Sequence, residues 1–522
     1  MNSQKIFSSK KAANILESLR DTTRLDLSIL ARIAVSYSIS HKEIVVDESE
    51  FGNRDGKEFN LYSLLGEYGG FYRNVLIVDN NKKLDDVYFN ELLKYHMERG
   101  LKILFQLLEK SNFNSENFLL VLNDQLVENE SSAQKQNILP LILKLGTEEL
   151  TNKNIILELN NKDKNPNFHL AITGIPGTGK TQVLLNLLYQ IRKQTEYSTN
   201  FIFFDYKGEF INSNGQYNDK AKEWFVNETK AEMFQLPGDQ IPINPFILNK
   251  YDDNDVKISA QQKAESFSSI NNRTQFGTVQ KETLVKTIVK SYEKRKNDPK
   301  QFPDFQELYQ ELKEEYENTG KKDDTLSSIL RQLSEFHLFW EHGSSKSVIK
   351  DLTSKTFIID LSKMLALKEL VAYLVIERLY QEMCQLPDLP PINGLRQIRT
   401  ILVIDEAHNY LSQKNIFLQK IVREGRSKGI GVFFASQSPS DYEQKSFDFK
   451  ELLSFFLLFK SGTLSPNTIQ NLIGCNPSVA KELQDKITKL KPFECITKYE
   501  SIERGYTILK ADALYETYNQ KR

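Results

Sequence analysis

The chain has little cysteine. Only Cys384, Cys475 and Cys495 occur among 522 residues, with no Cys-x-x-Cys pair and no metal-ligand spacing. That excludes a disulfide scaffold, a cysteine-built zinc site and a dithiol redox centre; the three thiols read as small buried side chains in a reducing cytosol. Net charge is also lacking, since 68 Lys and Arg meet 69 Asp and Glu for a formal charge of −1. No global field recruits nucleic acid, so any DNA-binding surface must be a local patch. Long apolar runs are absent too. The strongest, "LLSFFLLF" at 452–459, is far short of the roughly 20 residues that cross a bilayer and reads as a buried strand. The opening "MNSQKIFSSKK" lacks the apolar core of a signal peptide. There is no internal repeat and no extended low-complexity tract. The expectation is a soluble, cytoplasmic protein with no membrane partner.

What is present is enough apolar material, 40% of the residues, for two or three packed domains. Residues 1–110 read as mainly helical. In "SSKKAANILESLRDTT" Ser9 is a candidate N-cap, with Ile15, Leu16 and Leu19 as the apolar face. "LDLSILARIAVSYSI" puts Leu27, Leu30, Ala31 and Ala34 on one stripe. This end is mildly basic, with seven Lys/Arg against three Asp/Glu through Lys42. In "GKEFNLYSLLGEYGG", Phe59, Leu61, Leu64, Leu65 and Tyr68 read as packing residues, Gly66 as a point of close backbone approach, and Glu58 and Glu67 as caps or ion pairs. "NELLKYHMERGLKILFQLLEK" is a further amphipathic helix, and the Asn-, Glu- and Ser-rich stretch from 111 reads as a connection running to about 150. Beyond it, short apolar strands ("NIILELNN", "FHLAITG", "FIFFDYKGEF", "TFIIDLS", "ILVIDEAHNYL", "GVFFASQ") alternate with helical segments. That alternation argues a parallel sheet covered on both faces. Residues of about 255–345 are charged, helical and nearly strand-free.

"GIPGTGKT" at 174–181 fits G-x-x-x-x-G-K-[ST] and lies between a strand and a helix. Gly174, Ile175, Pro176, Gly177, Thr178 and Gly179 form a loop whose glycines let backbone N–H groups close around phosphates. Lys180 reaches the β- and γ-phosphates, Thr181 ligates Mg²⁺, and Gln182 follows on the helix. The substrate expected is ATP, with Mg²⁺.

In "ILVIDEAHNYL" four apolar residues make a buried strand and Asp405 and Glu406 emerge at its C-terminal end, where ligands bind in an open α/β sheet. Asp405 is the expected Mg²⁺ partner and Glu406 the group that polarises the attacking water. Gln437 sits at the tip of the next strand, placed to touch a γ-phosphate. Arg423 and Arg426 precede that strand; each reads either as part of a solvated basic helix face or as an arginine finger acting on a neighbouring subunit's ATP, which is worth several decades in rate. His408 reads as a packing residue or as a support of the site's acidic groups, not as a catalyst. Asp205, Lys207 and Asp360 read as local caps or as supports of the nucleotide site.

"GIPGTGKT", "FFDYKGEF", "PINPF", "IIDLS", "VIDEAHNYL" and "REGRSKGIGVFFASQSP" occur in the order seen in HerA/FtsK-type ATPases, which this part of the chain, from about 150 to the end, resembles. With the helical reading of the front and of about 255–345, the resemblance gives an α/β protein: a small, mainly helical N-terminal domain (1–110), a connection (111–150) and a RecA-like P-loop ATPase domain (151–522) with a helical insertion (about 255–345). It also implies a homo-oligomeric ring, usually a hexamer, that pumps or unwinds double-stranded DNA, and roles for Lys180, Thr181, Asp405, Glu406, Gln437 and one of Arg423 and Arg426. Two departures stand out. The small β-barrel usual at the front of HerA proteins has little room here, and the loop reads "GIPGTGKT" where "GTTGSGKS" is commoner.

The front, from "KIFSSKKAANILESLRDTTRLDLSILARIAVSYSIS" through "GKEFNLYSLLGEYGG", resembles DndE of bacterial DNA phosphorothioate modification, in which sulfur replaces a non-bridging phosphate oxygen. That resemblance implies DNA binding through basic residues, for which Lys10, Lys11, Arg20, Arg24 and Arg32 are candidates, and partners resembling DndC and DndD. Three readings stand: a double-strand DNA translocase or helicase in the modification pathway, an ATP-gated DNA-binding scaffold of the same pathway, and a HerA-type ATPase of phage restriction.

Overall fold

The structure is a computed structural model that describes residues 5–40, 52–80, 85–111, 118 and 138–521, except 213, 249–251, 271–275, 296–301, 345–346, 350, 365–366, 412–414, 445–446 and 499–504. The connection expected over 111–150 lies mostly outside the described residues. The chain forms two compact units, 1–137 and 138–522.

The first unit is helical. Ser9 caps the helix Lys10–Thr23, its hydroxyl accepting the Ala12 N–H at 3.2 Å. Ile15, Leu16 and Leu19 are buried, as are Leu30, Ala31 and Ala34 of the helix Leu27–Ser40; Leu27 is only partly covered. Both pack on the 25-residue helix Asp86–Lys110. Gly100, in the middle of that helix, is where the helices cross: a Cβ there would lie 1.8 Å from the Ala34 carbonyl oxygen, so glycine's cost in a helix interior is the condition for the crossing. The buried carboxylate of Glu98 accepts the Ser9 N–H at 2.7 Å, tying the start of the first helix to the long one.

The "GKEFNLYSLLGEYGG" segment opens as a strand (Glu58–Asn60) paired with Lys5–Phe7. It continues as a short helix (Leu61–Leu65) capped by the Asn60 side chain. Phe59, Leu64 and Leu65 are buried as expected, and Glu58 pairs with Lys5 at 2.7 Å. Tyr68 does not pack: it is 58% exposed. Gly66 takes φ +56, a left-handed value that ends the helix. The Glu67 side chain lies outside what is described.

The second unit is built on an eleven-stranded sheet. Seven strands run parallel, in the order Phe455–Phe459, Leu170–Thr173, Ile430–Ser436, Thr400–Ile404, Asn200–Asp205, Phe357–Asp360 and Glu232–Gln235. Their apolar runs are buried on both sides by two hydrophobic layers, one holding Leu402, Ile404 and Phe434, the other Ile401, Val403 and Phe433, as a sheet with helices on both faces requires. Helices Asp253–Ile270, Thr278–Lys294, Phe305–Thr319 and Thr325–Glu335 form the insertion between Glu232–Gln235 and Phe357–Asp360, the neighbouring strands at one edge of the sheet.

The sheet is not purely parallel. Glu494–Lys498, Tyr506–Ala511, Ile142–Glu148 and Asn154–Glu158 extend it antiparallel from Phe455–Phe459. Ile142–Glu148 falls where the sequence reads as connection. Its residues alternate between exposed and covered positions, because an antiparallel edge keeps one face wet. Among the described residues, no helix is long and apolar enough to cross a membrane.

Candidate active site

The parallel register sets the site. Ser436 lies beside Thr173, Phe434 beside Ile404, Phe204 beside Ile404, and Asp205 beside Asp360. The phosphate loop, Asp405–Glu406, Gln437 and Asp205–Lys207 therefore leave the sheet at one edge, where its strands end.

The loop is tied down by the Gly174 N–H to the Ser436 carbonyl (3.2 Å) and the Ile175 N–H to the Lys460 carbonyl (2.8 Å). Ile175, Pro176 and Gly177 form its exposed rim. Gly177 and Gly179 have φ +81 and +99, which a side chain would strain. The helix Lys180–Gln194 then starts with no side-chain cap, so its first N–H groups and its dipole are open to an anion. Lys180 is 7% exposed and its ammonium donates to the carbonyls of Gly174 (2.7 Å) and Ile175 (3.2 Å). Burial lowers its pKa against the pull of Glu406 and Asp405.

Thr181 Oγ1 lies 3.5 Å from Asp405 Oδ2. Two hard oxygen donors facing each other beside an uncapped helix start fit Mg²⁺ carried by a polyphosphate. Asp405 is fully enclosed. Burial, then the charges of Glu209, Glu406 and Asp205, push its carboxyl up to about 7. Asp205 is likewise raised to about 7, by burial and then by Asp360; its carboxylate accepts the N–H groups of Lys207 (3.1 Å), Gly208 (2.9 Å) and Phe210 (3.4 Å). Asp360 accepts the Ser362 N–H at 2.9 Å.

A group whose folded pKa exceeds its unfolded value near ~3.9 holds a proton that the unfolded chain has released, so between those values stability falls as pH rises. Asp405→Asn should therefore gain thermal stability relative to the parent, progressively from pH 5 to 7.5, in buffer without Mg²⁺ or nucleotide. A difference in Tm that stays flat over that range would remove Asp405 as the strained carboxyl.

Glu406 is 3% exposed and carries φ +53, a left-handed backbone costing on the order of 1–3 kcal/mol that persists only when its surroundings hold it. Its carboxylate is held by Lys207 on one oxygen and, on the other, by Gln437 Nε2 at 3.0 Å; His408 Nδ1 lies 3.2 Å from that second oxygen without hydrogen-bonding to it. Burial raises its pKa, but Lys207 and Gln437 outweigh burial and the net shift is downward, which keeps Glu406 ionised. Of the two readings of His408, its position beside Glu406 matches a support of the site's acidic groups. Lys207 joins the site from the Asp-x-Lys after a neighbouring strand.

Arg423 and Arg426 stand elsewhere. The Arg423 guanidinium lies 4.6 Å over the Phe447 ring, and Arg426 donates to the Pro166 carbonyl at 2.6 Å, before the start of the phosphate-loop strand. His169, at that same end, accepts the Val432 N–H on Nδ1 (3.0 Å), so its Nε2 donates to the Val422 carbonyl (2.9 Å) beside Arg423. Burial holds this imidazole neutral, its pKa down to about 4. Nothing in the sequence signalled His169. Neither arginine touches its own chain's phosphate loop.

In the first unit Lys10, Lys11, Arg20 and Arg24 are exposed. Arg20 is paired with Glu17 (2.5 Å) and Asp21 (3.3 Å). Arg32 is engaged: Nε donates to the Leu64 carbonyl at 2.7 Å and a terminal nitrogen to that of Ser63 at 3.1 Å, bracing the short helix before Gly66.

Residues 5–112 match the family of the DNA sulphur modification protein DndE, and residues 143–383 match the central domain of helicase HerA. The chain is a DndE domain joined to a HerA-type P-loop ATPase domain. Among solved structures, VirB4 of Thermoanaerobacter pseudethanolicus superposes with a TM-score of 0.52 at 16% identity, over 71% of this chain and 96% of that one. This likeness shows the RecA-like fold. The bacterial conjugative coupling protein TrwB lacking its first 70 residues gives 0.43 at 14% identity, over 71% of this chain and 88% of that one. DndE from Escherichia coli B7A, involved in DNA phosphorothioation modification, gives 0.17 at 22% identity, over 20% of this chain and 99% of that one. No curated protein matches the chain.

Proposed function

We propose that this DndE–HerA fusion is an ATP-driven translocase or helicase on double-stranded DNA that works in phosphorothioate modification, preparing the duplex for sulfur insertion by DndC- and DndD-like partners. The observation that carries the proposal is the joining, in one chain, of a DndE domain and an ATPase edge whose Glu406 is held ionised beside Asp405. An ionised glutamate next to the metal ligand favours hydrolysis over nucleotide sensing. Lys180 and the first turn of its helix hold the β- and γ-phosphates, Thr181 and Asp405 hold Mg²⁺, Glu406 orients the attacking water and takes its proton, and Gln437 reports the γ-phosphate. Mg²⁺ held by Thr181 and Asp405 would supply neutralisation of the phosphate charge.

Arg423 and Arg426 lie away from their own chain's phosphate loop, so a finger role for either one operates on a neighbour's ATP. Such a role belongs to a homo-oligomeric ring, which we propose is a hexamer. The DNA-contacting group narrows to Lys10, Lys11, Arg20 and Arg24, since Arg32 is committed to carbonyls. ATP-driven displacement of a third strand from a triplex-bearing duplex tests the motor. Displacement that requires ATP is expected; a protein that hydrolyses ATP on DNA yet leaves the triplex intact is a scaffold instead.

A further inference from the structure

The site as described holds phosphates and metal but leaves the nucleoside without a seat. The structure offers one at the far end of the chain. Gly179, the last residue before the helix, has φ +99, and a Cβ there would fall 2.5 Å from the ring of Phe493. That ring lies directly over the phosphate loop. It is held there from the backbone: the Phe493 N–H donates to the Thr178 carbonyl at 2.9 Å, and its own carbonyl accepts the Ala511 N–H at 2.8 Å. Phe493 itself has φ +66, a genuine outlier for a bulky residue. An outlier enforced by two hydrogen bonds beside a binding loop points to a function for the side chain it aims.

A second ring adjoins it. Tyr515 meets Phe493 edge-on, with centroids 5.6 Å apart at 71°, and is 38% exposed. Its N–H donates to Gln182 Oε1 at 3.2 Å. Gln182 directly follows Thr181 on the phosphate-binding helix. Asn186, one turn on, donates to the Asp512 carbonyl at 3.1 Å and accepts from Thr517 at 2.8 Å. The aromatic pair is thus bolted to the helix whose start receives the phosphates.

In a nucleotide whose β- and γ-phosphates lie at Lys180 and Thr181, the α-phosphate falls toward Gln182 and the nucleoside leaves from that side. We propose that Phe493 and Tyr515 form the platform for the nucleotide's base, held by stacking rather than by hydrogen bonds to its edge. The ligand class is a purine nucleoside triphosphate, and because every base has a π-face, ATP and GTP bind with similar affinity. The inference rests on the ATPase reading.

Binding is measured by calorimetry for ATP, GTP and inorganic tripolyphosphate, the last carrying the phosphates without a base. Stacking on one aromatic side chain corresponds to a factor on the order of 10–100 in affinity. Phe493→Ala should weaken ATP and GTP by that factor and leave tripolyphosphate within twofold, and Phe493→Trp should keep wild-type affinity for all three. Tyr515→Ala, at an exposed position, should show the same selective loss if the Phe493 variant does not fold. Equal weakening of ATP and tripolyphosphate would make Phe493 a prop of the phosphate loop and overturn the platform. So would unchanged ATP binding in both alanine variants, or a wild-type chain that binds tripolyphosphate as tightly as ATP. A wild-type chain that binds none of the three overturns the ATPase reading as well.

Discussion

Lys180→Ala should lower ATP hydrolysis by roughly 10²–10³ while leaving the fold intact. The ammonium is nearly enclosed and rests on the carbonyls of Gly174 and Ile175, so it occupies the mouth of the loop before any phosphate arrives. Two consequences separate. Removing a buried cation that burial already disfavours does not cost stability the way a lost core residue would, so the melting temperature should stay close to the parent's. Removing the only lysine of the loop takes away charge aimed at the transferring phosphoryl group, and loss of one such donor lowers kcat by roughly 10²–10³. Phosphate release measures the first effect. Iodine cleavage of DNA from cells carrying the variant measures what ATP is for: phosphorothioate linkages should disappear. Cells that still yield iodine-cleavable DNA would detach the ATPase from modification and leave the restriction reading.

How far the sequence reached depends on how local each feature is. The phosphate loop, the strand before Asp405 and the helices of the first unit were legible because their determinants are contiguous: glycine spacing, an apolar run, an N-cap at Ser9. The antiparallel edge was legible only in part, through Asn154–Glu158 in the apolar run "NIILELNN". Ile142–Glu148 is half wet, and its partner Tyr506–Ala511 lies over 350 residues away, so it looked like part of a connection. Arg32 and Tyr68 show the same limit in the DndE domain. A basic residue on a helix looks like a phosphate contact until the Ser63 and Leu64 carbonyls are found beneath it, and an aromatic in an apolar segment looks like core until the segment turns at Gly66. His169 and Phe493 act through backbone partners in remote segments, which no pattern in the neighbouring residues encodes.

The linkage of Lys207 and Gln437 to Glu406 is also remote in sequence, and it shapes the second expectation: Glu406→Gln binds ATP and keeps it. Glutamine has the size of glutamate, tolerates the φ of +53 no worse, and still offers an oxygen to the amide of Gln437. What it loses is the negative charge that Lys207 neutralises and the basicity that removes a proton from water. General-base assistance contributes typically 10²–10⁴ in rate, so kcat should fall by about that factor, with the affinity for ATP within about threefold of wild type because the phosphate contacts through Lys180 and the helix start are untouched. Retention of labelled ATP after rapid gel filtration should be high in the variant and low in the parent. Lys207→Ala gives the contrasting result. Without the ammonium, burial is opposed mainly by the Gln437 hydrogen bond, so the Glu406 pKa moves up, and hydrolysis should become dependent on pH, rising as the carboxyl ionises. If Glu406→Gln turns over at the parental rate, the base is not Glu406, and the hold of Lys207 and Gln437 on that carboxylate serves only to brace the left-handed turn after the strand.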